Sequence, residues 1–415
     1  MKEKIEIQRP ISAKNYLELF EVSPADNSVD FIKSLKDLDE IWGGKVVSTI
    51  FNRGEGRIDD DGSFYALKNE SLEKALRVSM AVSGKYYLDL LSYFERHSEL
   101  FGKSILDVGC DDGIITCFVA LNHPDSEVVG FTNTPESIDV AKNLAYRLHL
   151  ENVEFRCCDI KDFGEGEFDT IISARFMTAY MKSIDIDAAA FFVRDSVERN
   201  LAVMEDFYPD FITDHLSDTG KFISVERYLS NNGCINIAQY LSWLCKLGSK
   251  GLAYDKKYIE TVQSEEVQEK FPLMFIICNK SNCAICSSID ILKDLYDCEK
   301  YESEHAYVMG QADVAFYKLR NQCISGYRFY DNNSLSIQIG IWKTNDKRYI
   351  LYFHNRCESS LYVTADKSIV VTEMEGISNE LLNMGFEAYK LKKLPDHAYA
   401  KSLGKRVVYI NDPRT

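Results

Sequence analysis

From Leu76 to Phe101 apolar residues recur at helical spacing, with Val78, Val82, Tyr86, Leu90, Leu91 and Phe94 on one face, and Gly102 supplies a stop. Beyond Gly102 the pattern changes to short continuous apolar runs: SILDVG (104–109), EVVGFT (127–132), VEFRCCD (153–159), FDTIISA (168–174) and GKFISVERY (220–228). Candidate helices near 113–122, 135–149 and 187–217 separate them. Runs that are apolar throughout and alternate with helices predict a parallel sheet covered on both faces. A further helix at 235–248 is followed by runs at 257–264 and 272–280 with few residues between them. That spacing predicts an antiparallel hairpin closing the edge of the sheet.

The flanks read differently. Residues 1–80 alternate short helical patterns (NYLELF, VDFIKSLKDLDEIW) with the turn-rich patch NRGEGRIDDDGSF, which predicts a helical extension. From about Ser287, helices at 289–298 and 311–322 precede the strand patterns SGYRFYD, SLSIQIGIW, RYILYFHN, SSLYVTA and KSIVVTE, with a turn at 345–347. The expected organisation is a helical extension over 1–80, an α/β domain over 81–286, and an α+β domain with an antiparallel sheet over 287–415.

Composition narrows the function. The net charge of −16 disfavours a nucleic-acid partner, whose phosphates are held mainly by clustered Lys and Arg. The whole deficit lies in residues 1–286, because residues 287–415 hold 17 basic and 17 acidic side chains. The first residues lack a signal-peptide core and no run reaches the ~18 apolar residues of a membrane span, so the expected location is cytoplasmic. Twelve cysteines in 415 residues are too dilute for a disulfide scaffold.

The candidate chemistry centres on SILDVGCDDGIITCFVA, which sets Asp107, Gly109, Cys110 and Gly113 at a strand-to-helix turn. Glycines there let backbone approach a ligand, and the helix start offers free N–H groups. This phrase resembles the first motif of the class I S-adenosylmethionine (SAM)-dependent methyltransferases. Four later blocks resemble that family in order: EVVGFTNTPESIDVAKNLAYRLHL, VEFRCCDIKDF, EGEFDTIISARFM and GKFISVERY. The likeness covers residues 80–281. It implies a doubly wound, seven-stranded Rossmann-like sheet with an antiparallel edge hairpin, and SAM as cofactor. It further implies cofactor contacts from Asp107, Gly109, Cys110, Gly113, Thr132, Asn133, Asp159, Ile160 and Ser173.

Three positions depart from the family pattern. Asp111 stands where many members have glycine, Thr132 and Asn133 replace the usual ribose-binding carboxylate, and the fourth strand ends in SARF rather than Asn-Pro-Pro-Tyr. A hydroxyl or amide accepts from ribose hydroxyls less strongly than a carboxylate does.

The implied reaction is direct displacement of a methyl group onto a small or medium organic acceptor, for which the protein supplies alignment and proton removal. His215, Glu226 and Tyr180 are the candidate bases, with the Tyr86–Tyr87 pair beside them, and Arg175 is a candidate anion contact. Two other readings stay open. One is methylation of a protein, peptide or glycan recognised by the aromatic-rich C-terminal sheet, which could equally form a homodimer. The other is a scaffold that keeps the fold without catalysis. Cys278, Cys283, Cys286 and Cys298 invite a metal reading, but no matching His or second C-x2-C follows, and no metal is expected.

Overall fold

The computed structural model describes residues 9–20, 63–177, 200–227, 237–266, 269–281, 305–330, 336–354, 359–391, 398–403 and 406–411, with a few isolated positions between them. The chain divides into two compact units. One comprises Met1–Lys182, Glu205–Ile235 and Leu247–Ala284; the other comprises Ser183–Met204, Asn236–Lys246 and Ile285–Thr415.

The first unit is built on one sheet with strands in the order β3-β2-β1-β4-β5-β8-β6, and β7 also pairs with β8. These are β1 Ser104–Val108, β2 Glu127–Thr132, β3 Val153–Cys157, β4 Phe168–Ala174, β5 Leu216–Arg227, β6 Leu252–Tyr254, β7 Glu260–Glu266 and β8 Glu269–Lys280. Strands β1 to β5 are parallel, and β8 returns antiparallel between β5 and the edge. The short β6 and β7 share that edge, pairing with opposite ends of β8. The expected hairpin is therefore present, and its second strand is the inner one.

Burial on both faces explains the continuous apolar runs. Ile105, Ile172, Ile223, Val225, Phe275 and Ile277 join one core with α3 (Leu72–Arg96), α4 (Ile114–Asn122) and α5 (Pro135–Arg147). Two short helices precede these, α1 (Ala13–Glu18) and α2 (Ser63–Lys68). Tyr16 of α1 is wholly buried and donates from its hydroxyl to the Ile114 carbonyl at 2.8 Å, so the N-terminal extension is tied to the start of α4. Later in the chain, α6 (Phe207–His215) leads directly into β5, and α7 (Ile237–Ser249) precedes β6. The rest of the helix expected over 187–217 lies mostly outside the described residues.

The second unit carries an antiparallel sheet in the order β14-β10-β11-β12-β13-β9. Its strands are β9 His305–Val308, β10 Arg320–Tyr330, β11 Ser336–Thr344, β12 Tyr349–His354, β13 Ser359–Thr364 and β14 Glu387–Leu391. Helix α8 (Met309–Leu319) packs Phe316 on Trp342 and Tyr352, while α9 (Lys367–Asn383) packs Val370, Met374 and Leu381 on Phe329, Ile339 and Ile341. Both faces are thus covered, and a separate pair, β15 (Ala398–Leu403) and β16 (Arg406–Asn411), follows.

Three expectations need correction. KSIVVTE is the beginning of α9, not a strand: Asp366 caps it by accepting from Ser368 N, and the buried Val370, Met374 and Leu381 recur at helical spacing. That stripe outweighs the strand preference of consecutive β-branched residues. The helix expected over 311–322 stops at Leu319, because Arg320 already pairs with Thr344. Strands β6, β9, β14, β15 and β16 were not expected. The helix at 289–298 lies outside the described residues, Ile291 excepted.

Candidate functional site

Parallel register brings the carboxyl ends of four strands to one edge. Val108 of β1 lies beside Phe131 and Ser173, Thr132 beside Cys157, and Ala174 beside Val225. The turn leaving β1 has left-handed backbone at Gly109 (φ 73°), Asp111 (φ 46°) and Gly113 (φ 77°). Gly109 N and Cys110 N both donate to the Phe131 carbonyl at 3.0 Å, pinning the turn to β2. A Cβ at Gly109 would stand 2.9 Å from the Phe176 ring, and one at Gly113 would stand 2.8 Å from Ala141 Cβ. Both positions therefore favour glycine, and Gly113 does so more strictly, because its neighbour is helix backbone and not a side-chain ring that can turn.

Helix α2 meets this turn with a polar network that the sequence did not announce. Lys68 pairs with Asp111 and, at 2.9 Å, with Asp112. Asn69 Nδ2 donates to Asp111 Oδ1 at 2.9 Å and to Ser137 Oγ at 2.7 Å, and Ser79 Oγ donates to Asp112 Oδ2 at 2.5 Å. Burial alone would lower the Lys68 pKa, but the two carboxylates override it and hold the ammonium well above its usual range. Burial, aided by Asp111, raises the Asp112 carboxyl against the opposing pull of Lys68. The one available signal was the departure at Asp111, since an acid in a glycine turn needs partners.

The expected cofactor residues fall into two groups. Asp107, Cys110 and Ser173 are buried beneath the edge: Asp107 accepts from Thr116 Oγ1 at 2.6 Å, and Ser173 Oγ shares a 2.6 Å hydrogen bond with the Tyr208 hydroxyl. Gly109, Thr132 and Ile160 are half-buried, while Asn133 and Asp159 are exposed, so they form an accessible strip across the ends of β1 to β3. Gly113 lies buried at the start of α4. Asp159 also caps the 3-10 turn Ile160–Asp162 through Lys161 N at 3.0 Å.

The candidate bases separate. His215 ends α6 just before Leu216, the first residue of β5, and its Nδ1 lies 2.7 Å from the Gly166 carbonyl just ahead of β4. It therefore stands at the amino edge of the parallel strands, opposite the glycine turn, and is set aside as a base. Glu226 lies at the correct edge but is wholly buried, and its Oε1 accepts from Met177 N at 3.0 Å, which steers the chain leaving β4. Tyr180 lies outside the described residues. Tyr86 and Tyr87 form an edge-on pair with ring centroids 5.3 Å apart, and Arg175, with φ 64°, places its guanidinium 5.0 Å from the Tyr86 ring. Burial, reinforced by Asp112 and Asp111, raises the Tyr87 phenol well above its usual range and keeps it protonated at neutral pH.

Of the four cysteines considered for metal, Cys278 is buried in β8, its thiol pushed up to about 12 by burial; the others lie outside the described residues.

Asp107 yields a pH prediction. Burial pushes its carboxyl up to about 7, with Asp112 adding and the Thr116 hydrogen bond opposing. The folded chain then holds this proton more tightly than the unfolded chain, so the contribution to stability falls as pH rises from the ordinary carboxylate range to about 7 and is flat above. Asp107→Asn should remove that slope and melt higher than the parent at pH 8, with the gap narrowing towards pH 4 in paired thermal melts. Parallel melting curves at all pH values would contradict the assignment.

The strand order and the glycine turn are those of a doubly wound sheet, and the accessible strip lies at its carboxyl edge, where ligands of such sheets bind. Residues 101–273 match the family described as a methyltransferase domain, and the chain carries a class I SAM-dependent methyltransferase domain, with SAM as its cofactor. The present residues fit that group: exposed polar side chains flank half-buried Ile160, and the turn stays partly open at Gly109.

Among similar proteins are a probable (S)-tetrahydroprotoberberine N-methyltransferase 2 of Papaver bracteatum and a ubiquinone biosynthesis O-methyltransferase of Neisseria meningitidis. The first is 27% identical over 158 residues, covering 35% of this chain and 40% of the relative. The second is 26% identical over 152 residues, covering 32% and 63%. The match thus spans less than two thirds of either relative. A solved magnesium protoporphyrin IX methyltransferase from Synechocystis aligns at 13% identity and TM-score 0.33, covering 59% of this chain and 96% of that one.

Proposed function

We propose that this protein is an active methyltransferase that moves a methyl group from SAM to a small or medium organic acceptor. The observation carrying the cofactor reading is the accessible strip from Gly109 through Thr132 and Asn133 to Asp159 and Ile160. In this reading the 109–113 turn takes the methionine end, the Thr132 hydroxyl and Asn133 amide serve the ribose, and Asp159 with Ile160 serves the adenine. Asp107, Cys110 and Ser173 act beneath them as supports. The cofactor supplies an electrophilic methyl carbon on a sulfonium, so the chain contributes mainly alignment and exclusion of water.

The small-acceptor reading is supported by the similar N- and O-methyltransferases, whose names specify (S)-tetrahydroprotoberberine and ubiquinone biosynthesis. Phe176, half-buried at the exit of β4 and backed by the buried Tyr208 with ring centroids 4.9 Å apart, supplies an apolar face suited to such an acceptor. The catalytic unit is assigned to residues 81–286, with the N-terminal extension completing the site and 287–415 a second domain. Incubating the full chain with methyl-labelled SAM and a panel of phenols and tertiary amines tests this reading. Label is expected on a small acceptor; label confined to added protein or peptide, or no transfer at all, would overturn it.

A further inference from the structure

The network around Asp111 has no role in the reading so far, and it joins three segments of the site through one carboxylate. Asp111 Oδ1 accepts from Asn69 of the N-terminal extension and, at 3.3 Å, from Ser137 Oγ in the first turn of α5. Its Oδ2 pairs with Lys68 at the end of α2. Ser137 follows closely on Thr132 and Asn133, so the same carboxylate ties the glycine turn to the ribose side. Lys68, Asn69 and Ser137 are each at most 5% exposed, so the three partners of this carboxylate are out of solvent. Asp111 also stands at φ 46°, a left-handed conformation disfavoured for most residues bearing a Cβ and helped here by the contacts to its carboxylate.

We propose that Lys68 and Asn69 are positioning residues for the cofactor: acting through Asp111, they hold the glycine turn in its receiving conformation and couple cofactor affinity to the seating of helix α2. The inference rests on the 107–113 turn being the cofactor site. Its physical basis is charge and geometry together. Lys68 is the ammonium between two adjacent carboxylates, and removing it leaves half-buried Asp111 beside the wholly buried Asp112 with no cation between them. Repulsion then drives Asp111 outwards, and the turn moves with it. Glycine at 111 would remove one of the two charges and adopt the left-handed backbone unaided.

The test is calorimetric binding of S-adenosylhomocysteine to the full chain and to three variants, Lys68→Met, Asp111→Gly and the double variant, each with a thermal melt. Lys68→Met should weaken binding by about tenfold or more, and the double variant should recover to within about threefold of the parent, as expected for residues coupled in one network. Unchanged affinity in Lys68→Met overturns the proposal. So does a double variant that melts like the parent yet binds as weakly as Lys68→Met, since Lys68 would then act other than through Asp111. If Lys68→Met does not fold, Asn69→Ala reads the same coupling: a loss of about threefold or more supports it, and an unchanged affinity overturns it. A parent chain that does not bind S-adenosylhomocysteine at all instead removes the cofactor reading on which the proposal stands.

Discussion

Gly109→Arg is expected to abolish measurable binding of SAM and S-adenosylhomocysteine, a loss of about 100-fold or more, while the fold survives. The backbone there has φ 73°, a conformation that costs a residue with a side chain about 1–2 kcal/mol, which a domain of this size tolerates. The new Cβ would meet the Phe176 ring at 2.9 Å, but Phe176 is half-buried and can swing aside. What cannot be accommodated is the rest of the arginine, which must lie over the turn where the cofactor is placed. Circular dichroism with calorimetry separates the two effects. Parent-like affinity in a folded variant would remove Gly109 from the site.

Gly113→Ala should act the other way, through stability first. This residue is the N-cap of α4 at φ 77°, and its added methyl would stand 2.8 Å from Ala141 Cβ and 3.1 Å from Ala141 Cα, a backbone atom of α5. Neither helix can yield without disturbing the sheet they cover, so an overpacking cost of about 1–3 kcal/mol adds to the backbone cost of about 1–2 kcal/mol. The melting temperature of the α/β unit should fall by roughly 6–12 °C. A change within about 2 °C would show that α5 is not seated against the turn as described.

Much of this architecture was readable in the sequence because burial on both faces leaves a plain mark. Strands β1 to β4 end within two residues of the runs that predicted them: β1, β2 and β4 are largely covered on both faces, while β3 at the sheet edge buries only Phe155. The glycine turn was equally legible, because a left-handed backbone at 109 and 113 admits few other residues. Long-range charge pairing was not. Lys68 and Asn69 stand beside a patch that reads as loop, and nothing in their neighbours says that they meet Asp111 across 43 and 42 positions. Local preference also misled at Lys367–Glu373, where four consecutive β-branched residues suggest a strand but an aspartate cap and a helical stripe decide otherwise. His215 could have been placed from sequence alone: a residue just before a parallel strand lies at its amino edge, away from a ligand bound at the carboxyl edge.

The most direct measurement of the central claim is a calorimetric titration of the full-length chain with S-adenosylhomocysteine, run beside one with NAD. The account predicts saturable binding of the adenosyl ligand at about one per chain with micromolar affinity, and no heat from the nicotinamide nucleotide. Silence with S-adenosylhomocysteine up to high micromolar concentration, or saturable binding of NAD in its place, would contradict it.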